Sequence, residues 1–150
     1  MEFTKKDLNK TLWVKKEYLE KNRVRYKTDA TGKTLGRLAT EIADKLTGKN
    51  NVYYADFWDA GDYVIVENAD KIVVTGKKLD EKNYYSYSGY KGNVKSITLR
   101  ELLQKKPTKA IEEAVKGMIP RNKLREGRMK RLKAVVGTES KYDNFKPISF

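Results

Sequence analysis

Asp29-Ala30-Thr31-Gly32-Lys33-Thr34-Leu35-Gly36-Arg37-Leu38-Ala39-Thr40-Glu41-Ile42-Ala43-Asp44-Lys45-Leu46-Thr47-Gly48 is the stretch that decides the fold. It opens on turn chemistry, with Thr31 or Thr34 as the candidate helix cap. Leu35, Leu38, Ala39, Ile42, Ala43 and Leu46 then recur at the spacing of one helical face, and Gly48 follows as a C-terminal stop. Immediately upstream, Val24-Arg25-Tyr26-Lys27-Thr28 alternates as a strand does. Downstream, Tyr63-Val64-Ile65-Val66 and Ile72-Val73-Val74 are apolar at successive positions, the pattern of strands buried on both faces of a helix-covered sheet. Only five residues separate these two runs, too few for a full crossover helix, so their pairing stays open.

Further out, Thr98-Leu99-Arg100-Glu101 is a capping box with Leu99, Leu102 and Leu103 inward. Pro107 ends that helix, and Ala110, Ile111, Ala114 and Val115 form the face of another, stopped by Gly117 and Pro120. Residues 122–132 suit a basic helix interrupted by Gly127, before a short strand at 134–136. Strand, helix, strands, helices and strand in this order predict an α/β fold. Leu38, Ile42, Leu46, Val64, Val66 and Val73 are the predicted core. The division expected is a basic arm over 1–22, one α/β domain over 23–137 and a tail over 138–150.

Charge is sorted along this frame. Residues 5–27 carry nine basic and three acidic side chains, and 116–133 carry eight basic residues against Glu126 alone. Residues 28–115 between them hold fourteen basic and thirteen acidic residues, so the formal +13 sits almost wholly at the two ends. Such segregation fits a polyanionic partner, because each neutralised phosphate releases condensed counterions.

The chain has no cysteine and no histidine. This excludes a disulfide framework, thiolate metal sites, Ser–His and Cys–His nucleophile pairs and the commonest zinc ligand. The first residues, Met1-Glu2-Phe3-Thr4-Lys5-Lys6, lack a following apolar region, so no signal peptide is expected. No stretch approaches the roughly 20 apolar residues that span a bilayer. A soluble, intracellular protein is the expectation.

Four motifs need weighing. Gly32-Lys33-Thr34 between a strand and a helix invites a phosphate-loop reading, but the Walker pattern requires a glycine where Lys27 stands. A tight turn explains it, while Lys33, Arg37 and the helix start offer a place for a nucleic-acid phosphate. Asp56, Asp59 and Asp62 lack calcium-loop spacing and a bidentate Glu, so solvated turn carboxylates are expected and no metal site. Tyr84-Tyr85-Ser86-Tyr87-Ser88-Gly89-Tyr90-Lys91-Gly92 fits a strand with one buried Tyr face. It equally fits an RNA contact in which Gly89 lets the backbone approach and Tyr90 stacks, with Lys77, Lys78 and Lys95 nearby in sequence. Segment 116–133 is the strongest site, since solvated helix faces normally mix charge signs. At helical spacing Arg121, Arg125 and Arg128 share one side, which favours RNA or DNA binding.

With the 29–43 motif, Gly61-Asp62-Tyr63-Val64-Ile65-Val66, Asn68-Ala69-Asp70-Lys71-Ile72 and Thr75-Gly76-Lys77-Lys78, the chain resembles the bacterial-type large-subunit ribosomal protein thirteen family. The likeness resumes at Ser88-Gly89-Tyr90, Lys95-Ser96-Ile97-Thr98, Ala114-Val115-Lys116-Gly117-Met118-Ile119-Pro120-Arg121-Asn122-Lys123-Leu124 and Lys130-Arg131-Leu132-Lys133, and Lys10-Thr11 sits where the family begins. It covers about residues 10–147 in one register. Loops 50–58, 86–93 and 139–144 depart from the family's His-containing patterns.

The resemblance implies a three-layer α/β/α fold around a small, mainly parallel sheet, no enzymatic activity, no cofactor, no membrane and no small-molecule substrate. It implies large-subunit ribosomal RNA and neighbouring large-subunit proteins as partners, a role in early subunit assembly, and a cytoplasmic, ribosome-bound location. Basic reading and resemblance together nominate Lys10, Lys33, Arg37, Lys77, Lys78, Gly89, Tyr90, Lys95, Lys116, Arg121, Asn122, Lys123, Arg125, Arg128, Lys130 and Arg131 as RNA-binding. A free-standing RNA-binding regulator is the alternative, and a nucleotide-using α/β enzyme is the rival from another class.

Overall fold

The computed structural model describes residues 14–138, 142, 144 and 146–150. A short helix α1 (Lys16–Lys21) leads into strand β1 (Arg25–Asp29), and α2 (Leu35–Thr47) crosses to β2 (Tyr63–Glu67). Helix α3 (Lys78–Glu81) precedes a hairpin of β3 (Asn83–Tyr87) and β4 (Val94–Thr98). Helices α4 (Leu99–Lys105), α5 (Pro107–Met118) and α6 (Leu124–Lys130) follow, then β5 (Leu132–Ala134) and β6 (Ile148–Ser149). Four strands form one parallel sheet in the order β5-β2-β1-β6, while β3 and β4 pair antiparallel in a separate two-stranded sheet. This is an α/β fold around a small parallel sheet, consistent with the three-layer α/β/α arrangement.

The α2 stripe buries as its spacing dictates. Leu35, Leu38, Ala39, Ile42, Ala43 and Leu46 are all inside, packed with Val64 and Val66 of β2 and with Leu99, Ala110, Ile111 and Val115 of α4 and α5. On the opposite sheet face Ile65 is also buried and Lys27 reaches Glu67 at 2.8 Å, so β2 is covered on both sides as its continuous apolar run predicts. Pro107, expected to end one helix, also starts the next, where its missing N–H costs nothing. Thr98 caps α4 by accepting from the Glu101 N–H at 3.3 Å.

The turn between β1 and α2 is tied to the one after β2. Asp29 accepts from the Thr31 N–H at 2.9 Å, the Thr31 hydroxyl at 2.7 Å and Asn68 Nδ2 at 2.9 Å. The bond from the Thr31 N–H, then those from Asn68 and the Thr31 hydroxyl, lower the Asp29 pKa to about 2. At the other end of α2, Gly61 lies so close to the helix terminus that a Cβ would stand 1.8 Å from the Leu46 carbonyl oxygen. No other residue type fits there.

Several expectations move. Val73 is 43% exposed, because the 72–74 run makes only a single parallel bridge, between Val73 and Thr34, instead of joining the sheet. Ile72 of that run is buried in the core, and Val74 packs half-buried against it. The last predicted strand sits two residues earlier, at 132–134, where Leu132 pairs with Val64. Helix α5 passes through Gly117 and ends at Met118. Residues 148–149, read as tail, add an edge strand beside β1, and Phe150 holds it there. Its N–H donates to the Lys27 carbonyl at 3.1 Å, Thr28 Oγ1 donates to its carbonyl at 3.1 Å, and its ring meets Tyr26 edge-on. Among the described residues no helix is long and apolar enough to cross a membrane.

Candidate nucleic-acid interface

The basic segment divides into an inside and an outside. Helix α6 begins only at Leu124, after a turn in which Asn122 Oδ1 accepts from the Leu124 N–H at 3.2 Å and the Asn122 carbonyl accepts from the Arg125 N–H at 3.1 Å. Arg121 therefore precedes the helix, and Arg128 within it is buried. The expected row of Arg121, Arg125 and Arg128 on one exposed side does not form. Periodicity fixed the angular spacing, but the helix starts too late to include the first member, and the last faces inward toward Asp59 and the Trp58 carbonyl.

Arg128 and Arg131 instead converge with Arg23 on Asp59. Arg131 binds both carboxylate oxygens in a fork, Nη2 to Oδ1 at 2.6 Å and Nη1 to Oδ2. It also donates to the carbonyls of Asp62 at 3.3 Å and Leu46 at 3.2 Å. Arg128 Nε lies 3.5 Å from Asp59 Oδ1, and its Nη2 donates to the Trp58 carbonyl at 3.4 Å. Arg23 adds contacts to the Asp59 side chain at 3.4 Å and to its carbonyl at 3.3 Å. Burial by itself would raise the Asp59 pKa, but the hydrogen bond and charge of Arg131, with Arg23 and Arg128, hold it below its ordinary value. Asp59 is thus no solvated turn carboxylate. Asp62 is half-buried too, accepting from the Val24 N–H at 2.9 Å, and burial raises its pKa. Among the described residues no acidic cluster could hold a metal ion.

What remains outside is still strongly cationic. Lys116, Arg121, Lys123, Lys130 and Lys133 are exposed and Arg125 is half-buried, its Nη2 donating to the Lys116 carbonyl. Among the described residues no carboxylate pairs with Arg121, Lys123, Lys130 or Lys133, and Lys116 has only Glu113 at 4.0 Å. Near the α2 start, Lys33 is partly committed inward, donating to the Thr28 hydroxyl at 2.9 Å with Glu41 at 3.8 Å, while Arg37 is exposed. Lys77, Lys78 and Lys95 are exposed beside the β3–β4 hairpin. The 84–92 segment is strand and turn together: Tyr84 alone is half-buried, whereas Gly89 and Tyr90 occupy the exposed tip. Lys10 lies outside the described residues.

Sequence reasoning missed Asp59 because its partners stand 36, 69 and 72 residues away in the chain and no local spacing announces them. It also missed the outward pair Tyr85 and Tyr87, which the period-2 alternation of a strand would have separated from Tyr84.

The family model described as ribosomal protein L13 matches residues 23–141. The large ribosomal subunit protein uL13 of Thermotoga petrophila is 49% identical over 140 residues, covering 93% of each chain. The uL13 protein of Thioalkalivibrio sulfidiphilus is 48% identical over 122 residues, 81% of this chain and 86% of its own. That of Tolumonas auensis is 52% identical over 114 residues, 76% of this chain and 80% of its own.

Proposed function

The chain belongs to the ribosomal protein L13 family, and from that membership we propose that it is a structural constituent of the large ribosomal subunit that binds large-subunit ribosomal RNA and supports early assembly. It performs no catalysis in this reading, and its neighbours are ribosomal RNA and other large-subunit proteins. The observation that carries the RNA part is the group of exposed cations around the end of α5 and α6, where among the described residues no carboxylate pairs with Arg121, Lys123, Lys130 or Lys133. Self-repulsion disfavours such a surface unless an anion supplies the missing charge.

The interface we assign is led by Lys116, Arg121, Lys123, Arg125 and Lys130, with Lys133 beside them. Asn122 contributes by shaping the turn that presents them. Arg128 and Arg131 act from within, fixing α6 and β5 against the 50–61 loop through Asp59. A second contact region comprises Arg37, Lys77, Lys78, Lys95, Gly89 and Tyr90, with Lys33 contributing beside Arg37 only through its partly buried amine.

Co-sedimentation of the chain with large ribosomal subunits, together with its affinity for large-subunit ribosomal RNA measured across a salt series, tests the proposal. Association with the subunit and a steep fall of log K with log salt are expected. Binding to RNA with no association with the subunit would favour a free-standing regulator instead.

A further inference from the structure

We propose that the outward face of the β3–β4 hairpin is a stacking platform for unpaired RNA nucleotides, with Tyr85 and Tyr87 as its two rungs and Tyr90 at its tip. The proposal rests on the reading of the chain as an RNA-binding protein and adds the kind of RNA that one surface takes.

Strand alternation sorts the hairpin into two faces. Tyr84 stands opposite Ile97, and both are half-buried against the hydrophobic core. Tyr85 stands opposite Ser96 and Tyr87 opposite Val94, on the other face, where the three larger side chains lie open: Tyr85 is 71%, Tyr87 62% and Val94 60% exposed. Tyr90, at the turn, is 77% exposed. Single exposed apolar residues need no explanation, but a run of aromatic rings on one face of one short element marks an interaction surface.

The face is held, not loose. A two-stranded hairpin alone is marginal in water, yet this one is clamped at its base. The Leu99 N–H donates to the Lys82 carbonyl at 2.9 Å, and Arg100 grips both carboxylate oxygens of Asp80 at 2.8 and 3.1 Å. The Tyr87 hydroxyl donates to the Gly89 carbonyl at 3.2 Å, tying that ring to the turn.

Charge and spacing select the occupant. Residues 82–98 contain Lys82, Lys91 and Lys95 and no acidic residue, so nothing on the hairpin repels a phosphate chain. Its other side chains are mostly serine, asparagine and threonine, with little aliphatic surface to seat a protein partner. Rings at i and i+2 of a strand lie about 7 Å apart, close to the rise of two stacked nucleotides at about 3.4 Å each. Duplex RNA keeps its bases stacked among themselves, whereas splayed bases in loops and bulges stack on aromatic side chains. Lys95 lies on the face opposite Tyr85 and Tyr87, so phosphate attraction and stacking are separable by mutation.

The test compares the full chain with Tyr85→Ala/Tyr87→Ala and Tyr85→Phe/Tyr87→Phe variants at fixed salt. The probes are a short uridine strand and a perfect RNA duplex of equal length, and Tm is measured alongside. The alanine pair is expected to bind the single strand about 10- to 100-fold more weakly, with duplex affinity within about twofold of the parent and Tm unchanged. The phenylalanine pair keeps the single-strand affinity. Unchanged single-strand affinity in the alanine pair, or an equal loss on the duplex, overturns the platform while leaving the RNA-binding reading intact. So does unchanged RNA affinity accompanied by loss of association with large subunits, which would assign the face to a protein neighbour. A parent chain that binds neither probe overturns the platform, and one that also fails to bind large-subunit ribosomal RNA overturns the RNA-binding reading as well.

Discussion

Lys130 and Arg131 are adjacent in sequence and equal in charge, yet they belong to different parts of the molecule. Arg131 is buried immediately before β5, where it makes a two-pronged bond to Asp59 and donates to the carbonyls of Asp62 and Leu46. Lys130, one residue earlier, ends α6 in solvent, and among the described residues no carboxylate pairs with it. The same division separates Arg128 from Lys123 and Arg121. Arginine suits the inner role because its planar fork satisfies a carboxylate and nearby carbonyls at once. The exposed set keeps its charge available for phosphates. A basic run is therefore partly scaffold and, in the function proposed, partly binding surface, and the charge count of the segment overstates what is exposed to a partner.

Breaking the inner set should produce the largest effect. Asp59→Ala leaves three guanidinium groups without their shared carboxylate, and uncompensated buried charge of this kind costs about 3–5 kcal/mol. Urea midpoints should fall accordingly, and RNA affinity should drop because α6 and β5 lose their anchor. If the Asp59→Ala midpoint matches the parent, the cluster is not what holds the segment. For scale, Leu38→Ala or Ile42→Ala in the α2 stripe should cost about 2–5 kcal/mol through lost transfer energy and the cavity left behind.

The outer set should respond in the opposite way. Changing Arg121, Lys123 and Lys130 together to Ala should leave the unfolding free energy from urea titration within about 0.5 kcal/mol of the parent, as for ordinary surface positions. RNA binding should weaken, with the slope of log K against log salt shallower by about 0.7–0.9 for each phosphate that is no longer neutralised. An unchanged slope would move the footprint to another cationic region. Substituting Arg128 with them would confuse the result, since its loss also disturbs the fold.

Two carboxylates sharpen the contrast at smaller amplitude. Asp29 has its pKa lowered to about 2, so the stability it lends is complete above about pH 4 and lost as pH falls through that range. Asp29→Asn should flatten this acid limb of the stability curve, measured as urea midpoint between pH 5 and 2. Asp62 is shifted the other way by burial, so its charge is a burden at neutral pH. Asp62→Asn retains an oxygen for the Val24 N–H and should change stability at pH 7 by less than about 1 kcal/mol. A drop as large as that of Asp59→Ala would show that Asp62 also serves as a counter-charge to the arginines.

The sequence alone determined the α2 stripe from Leu35 to Leu46, the Thr98 cap, the α/β order and the concentration of positive charge, because each depends on spacing or counting within a short window. It also carried the family resemblance, which the match over residues 23–141 bears out. Only the tertiary structure decided which cations are inside. Arg128 and Arg131 became internal because Asp59, some 70 residues upstream in the chain, folds against them beside the end of α2. It decided as well that Val73 faces out, having one bridging partner instead of a strand on each side, and that residues 148–149 complete the sheet edge beside β1. Local periodicity fixes which way a side chain points from its own element, but burial and pairing depend on what the rest of the chain brings to that face.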